Sequence, residues 1–250
     1  MIKIETDLHT HTVASGHAYS TVDEMAKGAF IRGLKLIAIT DHGPNIPGGP
    51  HLYHFGNIAV LPNKLYGVRI IKGVEANILD DGKLDLDNDM LSKLDFVSAG
   101  IHRDTGHNLK NKKDFTEATI KAMENPYLDM ITHPIQREYP VDLEKIAKAA
   151  AQNNVIIELN ASSYSTKKDH FRGIKEHAVK MLKLADEYGF KIALNSDAHF
   201  YKDVGKISDL DFVFESSNFK KELIINRSVE NVLNYLRSKK NRLKKLGKTV

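Results

Sequence analysis

The chain has no cysteine. Disulfide staples and thiolate metal sites are therefore excluded, and the absence fits a reducing compartment. No apolar run approaches the roughly 20 residues needed to span a bilayer, so no membrane partner is expected. The first residues also lack the basic, apolar and small-residue succession of a secretory leader. These absences lead to the expectation of a soluble, cytoplasmic protein. With 250 residues, the chain can bury a sizeable core without covalent help.

Acidic residues are missing from the last stretch, "RSKKNRLKKLGKTV", which carries seven Lys/Arg. Removing those seven from the net charge of +4 leaves −3 for the remainder. Extensive binding to a phosphate backbone is not expected of such a body. The tail reads as the solvated, fraying end of a last helix.

What is present is a repeated pattern. Short apolar, β-branched runs recur: "MIKIETDLHTH", "LKLIAITDH", "VRIIKGVEANI", "LDFVSAGIH", "YLDMITHP", "VIIELNAS" and "KIALNSDAH". Each has the length of a strand and is dense enough in apolar residues to be covered on both faces. Segments with helical period lie between them, at 21–32, 114–124, 142–152 and 174–188. The first opens on a Thr-x-x-Glu capping box, Thr21 and Glu24. Asp142 stands where an N-cap helps and Gly189 where a helix stops. About seven alternations of this kind, uninterrupted by a linker, imply parallel strands joined by right-handed crossovers. Such units close most readily into a barrel, although an open sheet satisfies the same pattern. A single domain over 1–250 is expected. "ELIIN" reads as an extra short strand, followed by a helix from about Ser228. "HGPNIPGGPHLYHFGN" reads as a long loop, of the kind that often carries function.

The histidines are not scattered. His9 and His11 end the first run, with His17 just beyond. Asp41 and His42 end the second, Glu75 the third, His102 the fourth and His133 the fifth. Asp197 and His199 end the seventh. In a parallel barrel these ends converge on one face, and residues two apart in a strand point the same way. Seven imidazoles and two carboxylates gathered there would be a costly crowd of partly buried polar groups. Metal ions remove that cost. The donor types suit zinc, manganese or iron and are too rich in nitrogen for a calcium or magnesium cage. A catalytic ion takes three or four protein ligands, so nine donors imply two or three ions. Three divalent ions against two carboxylates leave a surplus of about four positive charges, to be met by an anion such as hydroxide with phosphate. His51, His54, His107, His170 and His177 read as surface or hydrogen-bonded residues. Asp7 and Asp41, which alternate away from the ligands, read as groups that orient imidazoles. Arg103 is suited to clamp a phosphate and equally to a place on the surface.

At these residues the chain resembles the PHP (polymerase and histidinol phosphatase) family. The similarity rests on "DLHTHT", "TDH", "GVEAN", "GIH", "THP" and "SDAH", and extends to "GGPHLYHF" and "IELNASS". It looks most like the YcdX-type single-domain phosphatases. The resemblance implies an α/β fold, a distorted seven-stranded (β/α)7 barrel with the active site at the C-terminal ends of the strands. It also implies three zinc ions. His9, His11, Glu75 and Asp197 would hold one. Glu75 would bridge to a second, completed by His102 and His133. His17, His42 and His199 would hold the third.

The activity so implied is hydrolysis of small phosphomonoesters by a hydroxide shared between two ions. Glu75, His9, Asp197 and Arg103 are the candidate catalytic residues. Two other enzymes place residues similarly: a nuclease acting on nucleic acid ends, which the basic tail favours, and a barrel amidohydrolase, in which His17, His42 and His199 have no role. A homo-oligomer is compatible with the sequence.

Overall fold

The computed structural model describes residues 2–165, 173–215 and 219–249. Its strands are β1 (Thr6–Asp7), β2 (Leu36–Ile39), β3 (Lys64–Leu65), β4 (Val68–Asn77), β5 (Phe96–Gly100), β6 (Met130–Ile131), β7 (Ile156–Asn160) and β8 (Ile192–Asn195). The helices are α1 (Val22–Arg32), α2 (Leu52–Asn57), α3 (Asn88–Ser92), α4 (Lys112–Met123), α5 (Leu143–Asn153), α6 (Lys175–Tyr188), α7 (Asp211–Glu215) and α8 (Val229–Lys245). Seven strands pair in parallel in the order β1-β2-β4-β5-β6-β7-β8 and form a nearly closed barrel; β3 adds to β4 antiparallel.

Every residue of β2, β5, β7 and β8 is buried, as expected of strands covered by helices outside and by side chains inside. Leu36, Phe96, Met130 and Ile156 are the first residues of their strands, and they share one apolar cluster with Val232 and Leu236 of α8. That helix therefore seals the N-terminal end of the barrel and leaves the C-terminal end open for chemistry.

Local signals place most helices. The Thr21–Glu24 capping box is formed in both directions. Asp142 caps α5 through the Glu144 and Lys145 amides, Ser228 caps α8, and Gly189 ends α6 in the left-handed region. At α4 the expected start at 114 is too late: Asn111 is the cap, so the helix begins at Lys112.

Three expectations are corrected. The "HGPNIPGGPHLYHFGN" stretch is not all loop, because His51 accepts a hydrogen bond from the Tyr53 amide and starts α2. "ELIIN" is not a strand. It forms two 3-10 turns with a single bridge, Ile192 to Ile224. The basic tail is not simply fraying: α8 runs to Lys245, and Lys239 and Leu243 are buried.

The two turns at 221–227 lie at the seam where β1 and β8 fail to form a ladder. Asn226 fills the gap with its side chain. Its amide donates to Thr6 O at 3.1 Å and Leu194 O at 2.5 Å, and its oxygen accepts from Leu194 N at 3.1 Å. Asn195 Oδ1 accepts from Leu8 N at 3.0 Å. Buried peptide groups need partners, and here two carboxamides supply what a strand would have supplied. Further along, Thr10 bridges Ala198 directly.

Lys239 reaches back under the barrel to Asp129, 2.5 Å away, with both side chains almost wholly buried. Burial pushes the Asp129 carboxyl up, more than Lys239 brings it down. Lys239→Met should lower stability by about 3–5 kcal/mol near neutral pH, because a buried carboxylate is left unpaired. A raised carboxyl takes up its proton in the folded state before the unfolded one, so acid relieves the unpaired charge. The loss should therefore shrink between about pH 7 and about pH 5. Urea titrations of both proteins at the two pH values check this; an equal loss at both contradicts it.

Candidate functional site

The expected site residues all stand at the C-terminal end of the barrel. His9 and His11 follow β1, His42 follows β2, and Glu75 lies within β4. His102 and His133 each lie two residues beyond their strands, β5 and β6, as does Asp197 beyond β8. His133 and Asp197 have φ of 33° and 52°. Side chains other than glycine adopt that region at a cost of about 1–3 kcal/mol, and such strain clusters at functional sites. Gly100 closes β5 for a related reason: a Cβ there would lie 2.7 Å from the His133 ring and 3.2 Å from the His102 ring. Only glycine lets the two imidazoles come together over the strand end.

Glu75 is the hub. It is fully buried, and its two oxygens face different partners. Oε2 lies 3.2 Å from His9 Nε2, 3.4 Å from His11 Nε2 and 2.9 Å from His42 Nδ1. Oε1 lies 2.8 Å from His133 Nε2 and 3.2 Å from His102 Nε2. Asp197 Oδ1 is 3.6 Å from His9 Nε2, 3.3 Å from His11 Nε2 and 3.4 Å from His199 Nδ1. His199 Nε2 in turn lies 3.0 Å from His17 Nε2. All nine expected donors therefore belong to one connected cluster. It runs from His9, His11 and Glu75, which are fully buried, out to the exposed His17.

Triplets of donor atoms within 4.8 Å of one another include Glu75, His102 and His133, and also His9, His11 and Asp197; His9, Glu75 and His133; His42, Glu75 and His102; His11, His42 and His199. The last differs from the expected third set in having His11 where His17 was placed; His17 joins through His199.

Protons cannot satisfy this crowd. His9 Nε2, His11 Nε2, His42 Nδ1 and Glu75 Oε2 are buried and make no hydrogen bond. Burial pushes His11 well below the ordinary imidazole range, and the neighbouring His42 and His199 push it further. Burial also pushes His42 down, to about 4. His9 shows the opposite balance: burial lowers it, but Glu158, Glu75 and Asp197 together hold it well above the ordinary value. His133 is raised because Glu75 outweighs burial. Glu75 stays well below the usual carboxylate range because four imidazoles outweigh its burial. Several nitrogen lone pairs and carboxylate oxygens thus converge with too few protons to separate them. Divalent cations fit that donor set.

Three contacts behind the imidazoles were not anticipated. Glu158 of β7, the one parallel strand without an expected site residue, accepts from His9 Nδ1 at 2.8 Å. Asn77 Oδ1 accepts from His102 Nδ1 at 2.7 Å. Ser15 Oγ accepts from His11 Nδ1 at 3.0 Å and donates to Asp41 at 2.7 Å. A signal existed for Glu158, a lone acid inside "VIIELN". For Ser15 there was none beyond proximity to His17, and for Asn77 none beyond its place two residues after Glu75.

Asp41 thus reaches an imidazole through Ser15, whereas Asp7 does not. Asp7 accepts from the amides of His9, Ser196 and Gly205 and fixes backbone rather than rings. Arg103 is exposed and ion-paired with Glu138, not with any of the nine donors. His54 Nε2 lies 3.4 Å from Asp41, and His107 donates to His102 O. His177 lies on α6, and His170 is outside the described residues.

Beside Asp197 and His199 opens a cavity of about 180 Å³, lined also by Tyr19, Ser162, Phe200 and Lys206. Among the described residues, no helix is long and apolar enough to cross a membrane.

Known proteins are similar to this chain in sequence and in fold. A probable phosphatase of Caldanaerobacter subterraneus is 44% identical over 243 residues, covering 97% of this chain and 94% of its own. A probable phosphatase of Acetivibrio thermocellus is 44% identical over 245 residues, covering 98% and 100%. The histidinol phosphate phosphatase of Lactococcus lactis, solved with zinc, L-histidinol and phosphate, has a similar fold. It aligns with a TM-score of 0.61 at 18% identity, covering 86% of this chain and 94% of its own. The family model of the PHP domain matches residues 7–197, and the chain belongs to the PHP domain family.

Proposed function

We propose that the protein is a metal-dependent phosphatase that hydrolyses small phosphomonoesters with three zinc ions. The observation that carries this reading is the division of Glu75 between two donor sets, Oε2 towards His9, His11 and His42 and Oε1 towards His102 and His133. A carboxylate shared in this way suits a bridge between two cations.

The residues divide as follows. His9, His11, Glu75 and Asp197 hold one ion. Glu75, His102 and His133 hold the second. His17, His42 and His199 hold the third, with His11 close enough to share in it. Zinc suits the donors, and manganese or iron suits them too. Held by these residues, divalent ions would supply Lewis acidity, for activation of water and for neutralisation of phosphoryl charge. Glu75 and Asp197 keep the ions together against their mutual repulsion. Bound to ions, the seven imidazoles would be neutral donors, so they would leave the site enough positive charge to attract a phosphate dianion. The rim at Tyr19, Ser162 and Phe200 would receive the alcohol portion of the ester. Arg103 meets the phosphate only by leaving Glu138.

The probable phosphatases to which the chain is similar over nearly its whole length support the substrate class. A cytoplasmic location belongs to the same reading, and a chain without cysteine is compatible with it.

Elemental analysis of the purified protein, followed by assay of the same sample on phosphomonoesters and a phosphodiester, tests the reading. About three equivalents of transition metal and monoester hydrolysis are expected. Turnover of the diester or of nucleic acid ends alone would favour the nuclease instead, and hydrolysis of amides alone the amidohydrolase. Glu75→Ala should lower kcat by at least about a thousandfold, since it removes the bridge and a charge that holds two cations. Near-normal turnover in metal-replete Glu75→Ala contradicts the bridged arrangement.

Metal binding should also release protons. His9 and His133 are raised by their carboxylate neighbours, so without metal they carry protons at pH values where an ordinary imidazole has lost them. Zinc must displace those protons. Apparent zinc affinity should therefore rise as the pH rises through the neutral range. Calorimetry in buffers of different ionisation enthalpy reads the protons directly; an uptake that releases none contradicts the assignment.

A further inference from the structure

Glu158 makes three contacts, all as acceptor. Oε1 accepts from His9 Nδ1 and from Asn195 Nδ2, each at 2.8 Å, and Oε2 accepts from the backbone amide of His133 at 2.8 Å. It is fully buried, on β7, which among the described parallel strands alone supplies none of the nine donors. It lies behind His9, on the side of the ring away from Glu75 and Asp197.

An imidazole with its Nδ1 proton committed to a carboxylate presents Nε2 as its free donor atom, and the same contact makes that atom more basic. At His9, Nε2 is the atom aimed at Glu75 and Asp197. At His133 the contact is to the backbone, at a residue held in the strained left-handed region with φ of 33°. An amide anchored to a buried carboxylate holds that conformation in place. One side chain therefore sets ring orientation in one expected ligand and backbone position in another, across β1 and β6. Asn195 prevents Glu158 from drifting. Its Nδ2 donates to Glu158 while its Oδ1 accepts from Leu8 N at 3.0 Å, so it cannot turn over without breaking both bonds.

We propose that Glu158 is the positioning residue of the metal centre, fixing the His9 ring with Nε2 free and the His133 backbone in its strained form, and that Asn195 ties it to the barrel seam. This rests on the metal-dependent reading above. It goes beyond that reading by assigning metal affinity to a residue that touches neither metal nor substrate.

The all-acceptor geometry makes Glu158→Gln a sharp test. Glutamine offers one acceptor and one NH2 group. With its oxygen towards His9 and Asn195, its NH2 meets the His133 N–H. With its NH2 towards His9, the ring must accept at Nδ1 and carry its proton on Nε2, where the metal should bind. Either placement damages the centre although shape is preserved.

Zinc affinity of the wild type and of Glu158→Gln is to be measured by competition with a chromophoric chelator. The Tm of each metal-free protein is measured alongside. The expected result is a loss of 10–100-fold in affinity for at least one ion. The imidazole ¹⁵N spectrum of the zinc-loaded wild type should show His9 protonated at Nδ1. A variant that binds every ion within about twofold of the wild type, whatever its Tm, overturns the proposal; a purely structural role would lower only the metal-free Tm. Should Glu158→Gln not fold, Glu158→Asp keeps the charge with a shorter reach. It should lose affinity for at least one ion, and unchanged affinity overturns the proposal equally. A wild-type protein that takes up no zinc overturns the metal-dependent reading instead, and this assignment with it.

Discussion

The interaction on which the rest of the structure depends is the convergence of imidazole nitrogens on the two oxygens of one buried carboxylate, Glu75. Five rings approach it within 3.4 Å. Burial drives some of those rings towards the neutral form and neighbouring acids drive others towards the charged form. His9 Nε2, His11 Nε2, His42 Nδ1 and Glu75 Oε2 are left without a hydrogen bond, and unsatisfied buried polar groups cost of order 1–3 kcal/mol each. A chain that assembles such a site must recover that cost from the remaining fold, or from cations.

The fold is arranged to do so. α8 seals the bottom of the barrel with Val232, Leu236 and the Lys239–Asp129 pair, leaving the imidazole cluster to the other end. The seam between β1 and β8 lacks a continuous ladder, yet it must hold His9 and His11 against Asp197. Asn226 and Asn195 do this with carboxamides in place of a strand. The contact from Asn195 to Glu158 then carries the seam's geometry to the rings themselves.

Much of this was legible in the sequence because strand ends in a parallel barrel share one address. His9 and His11, Glu75, His102, His133, Asp197 and His199 are found from that rule and the period of a strand, without knowledge of any contact. Thr21, Asp142 and Ser228 announce their helices for an equally local reason. What stayed hidden depends on partners distant in the chain. Glu158 sits in an apolar strand and becomes meaningful only when β1 and β6 arrive beside it. "ELIIN" has the composition of a strand, but the seam it enters is served by the Asn226 side chain, so it turns instead. Asp7, the last residue of β1, resembles Asp41 in standing beside ligands, yet the loop after β8 folds onto Asp7, and the Ser196 and Gly205 amides with the Ser196 hydroxyl take up both oxygens. Arg103 follows a ligand position, but Glu138 lies within its reach.

The central claim is that cations occupy the space between these donors. Anomalous diffraction from crystals grown with zinc, recorded on both sides of its absorption edge, tests it most directly. The account predicts three separate peaks: one bounded by His9, His11, Glu75 and Asp197, one by Glu75, His102 and His133, and one by His17, His42 and His199. A barrel mouth without anomalous density at saturating zinc, with the same side chains in place, would contradict it.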